Sequence, residues 1–154
     1  MAFDPTLFPA LMDALVSHAA SSGYFDRVNA HEPKNKPGNG VTCSVLIGPL
    51  APSRASGLAT TSMVFTATVR VQIPADRLPL DRLDTDLMTA AGVLFAAYLA
   101  DFTLDGLVRN VDVFGAAGTP LSCRPGYLTH DQQAFRVVDI FVPLVINDVF
   151  DQTP

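Results

Sequence analysis

An unbroken alternation over residues 62–73 constrains this chain more than any other feature. The stretch reads Ser-Met-Val-Phe-Thr-Ala-Thr-Val-Arg-Val-Gln-Ile. Met63, Phe65, Ala67, Val69, Val71 and Ile73 occupy one set of alternate positions, and Ser62, Val64, Thr66, Thr68, Arg70 and Gln72 the other. Successive side chains of a strand point to opposite faces, so the pattern predicts one apolar and one mostly polar face. Its β-branched residues suit a pleated, half-buried surface. At about 3.3 Å per residue the strand would span roughly 40 Å, long beside the usual strand of about five or six residues. A strand of that length needs partners along all of it, and another chain is one source of them. Pro74, which lacks an amide donor, predicts its end.

Helical periodicity flanks this strand on both sides. Asp4-Pro5 predicts a helix start, with Asp as cap and Pro at the first helical position. Leu7, Leu11, Ala14, Leu15, His18 and Ala19 then form a stripe, and Gly23 a stop, giving a helix over about residues 5–22. A second helix is predicted over about 82–100. Asp84 and Asp86 favour its N-terminus, and Leu83, Leu87, Ala91, Leu94 and Tyr98 form its stripe, widened by Met88 and Phe95. Its C-terminal half is apolar nearly all round, which predicts burial on more than one side.

Shorter strands are predicted at 24–30, with Phe25 and Val28 inward, at 41–47 and at 107–114. A hairpin is predicted between 127–128 and 134–147, around residues 129–132. Pro143 predicts a bulge or break in its second strand. Three long connections, at about 31–40, 48–57 and 115–126, are rich in Gly and Pro and read as exposed loops. The order of helix, strands, helix, strands with hairpin-length links predicts a single α+β domain over 1–154. It would have an antiparallel or mixed sheet and both helices packed on one face. The other face would be either wet or an interface.

The 154 residues suffice for a core without staples. Only 16% are charged, against 49% hydrophobic. The usual charged fraction is about 25%, so the shortfall points to surface hidden in an assembly. A net charge of -5, with scattered basic residues, argues against a static nucleic-acid binder. Cys43 and Cys123 form no CxxC and read as two reduced thiols, with a disulfide left open. The N-terminus, Met-Ala-Phe-Asp-Pro, has neither a basic start nor an apolar run, so no signal peptide is expected. The apolar stretch 87–100 is shorter than the roughly 20 residues a bilayer needs. The expectation is a protein made in the cytosol, with no membrane partner.

The search for chemistry finds no catalytic, cofactor-binding or metal site. His18 lies on an apolar stripe and reads as a hydrogen-bonded core histidine; His31 and His130 read as solvated loop residues. No histidine or cysteine pair has zinc-ligand spacing. Asp101 and Asp105 flank a turn that ends at Gly106. The glycines at 38–40 and 115–118 lack the lysine of a phosphate loop, and no nucleophile elbow is present. Asp139 stands apart. It falls between Val137, Val138, Ile140 and Phe141, and is either a solvated carboxylate on the outward side or a half-buried one that wants a partner among Arg70, Arg109 and Arg136, or in a neighbouring subunit. Thr66, Thr68, Arg70, Gln72 and Asp139 are therefore the candidate subunit interface.

Several stretches together resemble a known family. They are Ala55-Ser-Gly-Leu-Ala-Thr-Thr-Ser62 with the alternating strand after it, Asp101-Phe-Thr-Leu-Asp-Gly-Leu-Val-Arg-Asn-Val-Asp112, Gly126-Tyr-Leu128, Phe135-Arg-Val-Val138 and Pro143-Leu-Val-Ile-Asn-Asp-Val149. This pattern, over roughly residues 40–150, resembles tail terminator proteins of long-tailed, siphovirus-type phages that infect actinobacteria. The resemblance implies a small α+β structural protein of the virion, not an enzyme. Such proteins form a hexameric ring on the capsid-proximal end of the tail tube. The ring stops tube polymerisation and joins the tail to the head connector, and DNA passes through its lumen without being read. The partners implied are further copies of the chain, the tail-tube protein and the connector or stopper protein. Assembly would take place in the host cytoplasm. A different neck or tail component, such as a stopper or tube subunit, and a small host ligand-binding domain or enzyme are the alternatives.

Overall fold

The computed structural model describes residues 3–31, 40–54 and 56–153. The chain is α+β, with two helices and a seven-stranded, mostly antiparallel sheet. Two long strands form its axis. The alternating stretch becomes β4, Thr60–Pro74, and the C-terminal apolar stretch becomes β7, Gln133–Asp151. They pair antiparallel from Thr60↔Asp151 to Pro74↔Phe135. Short strands complete each edge. On the far side of β4 lie β2, Thr42–Leu46, and β3, Leu50–Pro52, end to end. On the far side of β7 lie β6, Ser122–His130, and β5, Asn110–Val111. The three-residue β1, Arg27–Asn29, adds to β2 as the sheet's parallel pair.

Both helices cover the same face. The first, α1, Leu7–Ser21, packs over β1 and β2, and the second, α2, Leu83–Ala100, over β4 and β7. The predicted apolar set of β4 supplies the centre of the core: Ala67, Val69, Val71 and Ile73 are fully buried, facing Leu11, Leu15, Leu94 and Tyr98. β7 adds Val138, Ile140, Val142 and Leu144 opposite them. At about 1.5–3 kcal/mol for each such side chain, this face dominates the fold's stability.

Several expectations are corrected. Thr6, not Asp4, occupies the first cap position of α1; the Asp4 carboxylate instead accepts from the Thr6 amide and hydroxyl. Gly23 ends the helix as expected, with φ of 68°. The predicted strand at 24–30 shrinks to β1. The 48–57 connection contains β3. Gly48 permits this handover, because a Cβ there would run into the Thr66 carbonyl, while the Thr66 amide donates to Pro49. Residues 32–39 of the 31–40 loop lie outside the described residues.

The strand expected at 107–114 is mostly turn and leaves only β5. Leu104, expected in the turn before it, is buried, and both it and Asp105 have positive φ. β6 extends back to Ser122, so the third connection ends earlier than 126. The hairpin is present, with its turn at Asp131–Gln132, both at positive φ.

Pro143 neither bulges nor breaks β7. It pairs with Thr66 where β6 has ended and β5 has not fully begun, so no edge strand needs its missing amide. Its carbonyl accepts from the Asp112 amide. The irregularity falls instead near Asp148, at φ of 53°, where the register shifts between Thr61 and Met63.

Helix α2 buries Leu87, Ala90, Ala91, Leu94 and Tyr98, but Met88 and Leu99 are about half exposed. The expected burial on a second side is not met within one chain. With the preceding 3-10 turn, Leu80–Arg82, the helical stretch Leu80–Ala100 is long and apolar enough to cross a membrane by composition alone. A helix packed on a sheet passes the same test, and this one lays its stripe on β4 and β7.

Candidate assembly surface

The face of the sheet away from the helices carries the five residues expected at an interface. Thr66, Thr68, Arg70 and Gln72 alternate along β4, and Asp139 on β7 lies directly opposite Arg70. The register that sinks Val69 and Val71 in the core therefore forces Arg70 and Asp139 together on the other side. The Arg70 guanidinium grips the carboxylate with two bonds, Nε to Oδ1 at 2.8 Å and Nη2 to Oδ2 at 3.2 Å. Of the three arginines considered for Asp139, Arg70 is the partner. Arg109 is exposed, and Arg136 binds Asp84 at 2.9 Å and lies over the Tyr127 ring.

The two ends of this set differ in exposure. Arg70 and Asp139 are about one-fifth exposed. Thr66 is buried, and Gln72 is 1% exposed, with neither side-chain amide atom hydrogen-bonded among the described residues. Ser44, its diagonal neighbour on β2, is also buried with an unpartnered hydroxyl. Gln72 is therefore reached through the face only after rearrangement, whereas Thr68, Arg70 and Asp139 are directly available.

Two loops wall the other end of the face. The segment carrying β3 and the segment 112–119 border adjoining grooves that share Pro52 and Ala117. The smaller, about 280 Å³, has Val64, Thr66, Thr68 and Phe141 in its lining. The larger, about 690 Å³, runs past Val145 to Arg54, Arg109 and Asn110. Asp112 fixes the loop: its carboxylate accepts from the amides of Ala116 and Ala117 at 2.9 and 2.8 Å. Gly115, at φ of 77°, packs against Pro120 where a side chain would not fit. Sequence reasoning missed these grooves, because only the register of β3 on β4 brings the two connections together.

The remaining candidates read as structure. His18 Nε2 meets Asp101 Oδ2 at 2.9 Å, tying α1 to the turn after α2. Asp101 also accepts from the Asp105 amide with its other oxygen, as a turn residue should. His130, expected in solvent, closes β6 and packs edge-on against Phe135, with Nε2 buried. Cys43 and Cys123 are both free thiols on the helix-covered face. They stand three strand spacings apart, about 14 Å, twice the Cα separation of about 7 Å beyond which a disulfide cannot close. Burial pushes the Cys43 thiol up to about 12, and raises the Tyr98 phenol beside it. No group of His, Cys, Asp and Glu among the described residues is placed to hold a metal ion.

No protein family matches the chain, and no curated protein does. Among solved structures, a chain described as "Virion of native gene transfer agent (GTA) particle" is similar at 15% sequence identity. The likeness covers 92% of this chain and 98% of that one, with a TM-score of 0.40. A likeness this loose assigns neither a partner nor a role.

Proposed function

We propose that this chain is a structural subunit of a phage-type virion, and within that class a tail terminator. Copies of it would form a ring, six-membered in the family it resembles, on the capsid-proximal end of the tail tube. The ring would stop tube growth and offer its other side to the head connector. The observation that carries this reading is the uneven dressing of the sheet. Helices cover one face, while the loops and ends display large apolar side chains almost fully in solvent: Leu58, Phe114, Leu78, Ile47 and Tyr127 are each more than 70% exposed. Singly such side chains are ordinary on a monomer; several this large and this exposed, on a chain with few charges, are surface that contact with other chains would cover. The sequence resemblance, the low charged fraction and the ordered but open grooves point the same way.

Closed symmetry suits the role. A head-to-tail contact that closes gives a ring of fixed size, whereas one that does not close gives a filament. Growth arrest therefore needs only a subunit that binds the tube end and closes on its own copies. The test is electron microscopy of tail-tube protein polymerised with and without this chain. The expected result is tubes of limited length, each ending in a ring. Fibres built from this chain alone would identify a tube subunit instead, and tubes of unchanged, unlimited length would end the terminator reading.

A further inference from the structure

We infer that the groove between the β3 segment and the 112–119 loop receives the Leu78–Asp81 corner of a second copy of this chain. The inference rests on the self-assembly reading above and names its contact. The groove has an apolar wall of Pro52, Ala117 and Val145 and a cationic mouth. Arg54 and Arg109 stand at that mouth, both exposed, and neither guanidinium has an ion-pair partner among the described residues. The groove's own acid, Asp112, is spent on the amides of its loop. On a chain of net charge -5, two unanswered arginines beside an apolar wall call for an apolar segment that brings a carboxylate.

The chain carries such a segment at its other end. Past Pro74 the backbone turns a corner before α2. There Leu78 is 79% and Leu80 56% exposed. Asp81 follows, exposed and without an ion pair among the described residues, while the next residue, Arg82, leans on Asp86 at 3.8 Å within its own chain. The groove borders Val145, the β7 partner of Val64 on β4, and the corner follows Pro74, so the two lie about ten residues of strand apart, roughly 33 Å. One chain cannot bring them together. Two chains can, end to end, and such a contact uses different surfaces on each partner, as a ring requires. The apolar wall suits an apolar peptide segment better than a nucleic-acid backbone.

The test is a charge exchange in the full chain. Arg109→Asp, Asp81→Arg and the double variant are compared with the wild type by light scattering over a concentration series. Thermal melts check that each variant folds. Each single variant is expected to raise the concentration for half-assembly at least about tenfold, and the double variant to return it to near the wild-type value. Single variants that assemble like the wild type, a double variant no better than the singles, or a wild type monomeric at millimolar concentration would each overturn the contact. The two readings fail differently. Rings that persist in Arg109→Asp remove this contact and leave the terminator standing. Charge exchange that restores assembly in a protein with no effect on tube length does the reverse.

Discussion

Gly48 and Gly92 show how one residue type does opposite work at two positions. At Gly48 a methyl group would meet the backbone carbonyl of Thr66, which cannot step aside without breaking the β3–β4 register. Gly48→Ala is expected to destabilise the chain by about 2–4 kcal/mol. At Gly92, exposed on α2, nothing lies within reach of an added Cβ. Gly92→Ala is expected to stabilise by about 0.5–1 kcal/mol, because alanine is the better helix former. Urea titration of both variants measures the two signs together. A harmless Gly48→Ala would show that the handover between β2 and β3 is looser than described. Arg70 works by pairing. Arg70→Ala leaves Asp139 half-buried and unpaired, at an expected cost of about 1–2 kcal/mol. The monomer stays folded while assembly weakens; an assembly mass equal to that of the wild type would remove this face from the subunit contact. Cys43 works through its proton. In the fold its thiol stays protonated to about pH 12, whereas in the unfolded chain it ionises from its ordinary value of 9.0. Above pH 9.0 the unfolded state therefore binds fewer protons, and stability falls as pH rises, by up to about 1.4 kcal/mol per unit from this group. Below that pH the thiol contributes no slope. Tyr98 adds the same sign above its ordinary 10.0. Cys43→Val, which keeps an apolar side chain of similar size, should flatten the decline between about pH 9 and 10 in urea unfolding.

At the scale of elements, legibility followed the strength of the period. β4 was legible almost to the residue, because six apolar side chains alternate without a slip and a proline closes the run. Both helices were legible for the same reason, apart from Met88, which the 3.6-residue stripe alone places at the edge of the buried face. The elements that misled are those fixed by partners. β3 is a strand only because β4 offers it an edge. The 107–114 stretch has strand composition, yet the turn through Leu104, Asp105 and Gly106, all at positive φ, runs on past the glycine that was expected to end it. Pro143 reads as a breaker until the gap between β5 and β6 is known. The Arg70–Asp139 pair was half legible: Asp139 asked for an arginine, and only the register named which. The helix that joins these parts makes a clean test. Leu94 is fully buried on α2 against the β4–β7 pair. Leu94→Ala is expected to cost about 2–5 kcal/mol. A variant at exposed Leu99 is expected to change monomer stability by less than about 0.5 kcal/mol.

At the scale of the whole molecule, the terminator reading proposed above sets charge and shape one requirement, that DNA would pass through the ring without being held. Affinity for duplex DNA comes mainly from lysine and arginine on phosphates, and each such contact releases counterions and steepens the dependence on salt. This chain has 10 basic and 15 acidic residues. Arg70 and Arg136 are each engaged by a carboxylate of the same chain. Arg54 and Arg109, the pair left at the groove, are assigned above to a neighbouring subunit. Closing the ring would thus cover two of the cations on a subunit of net charge -5, and a net-acidic assembly repels the phosphate backbone. The assembled protein is therefore expected to leave duplex DNA unretarded in a gel, even at about 50 mM salt, where phosphate contacts are strongest. Arg109→Asp should not change that result. A retarded band that fades with added salt would mean that unpaired arginines or lysines face the lumen, and the groove's arginines would then have to be reassigned from protein to nucleic acid.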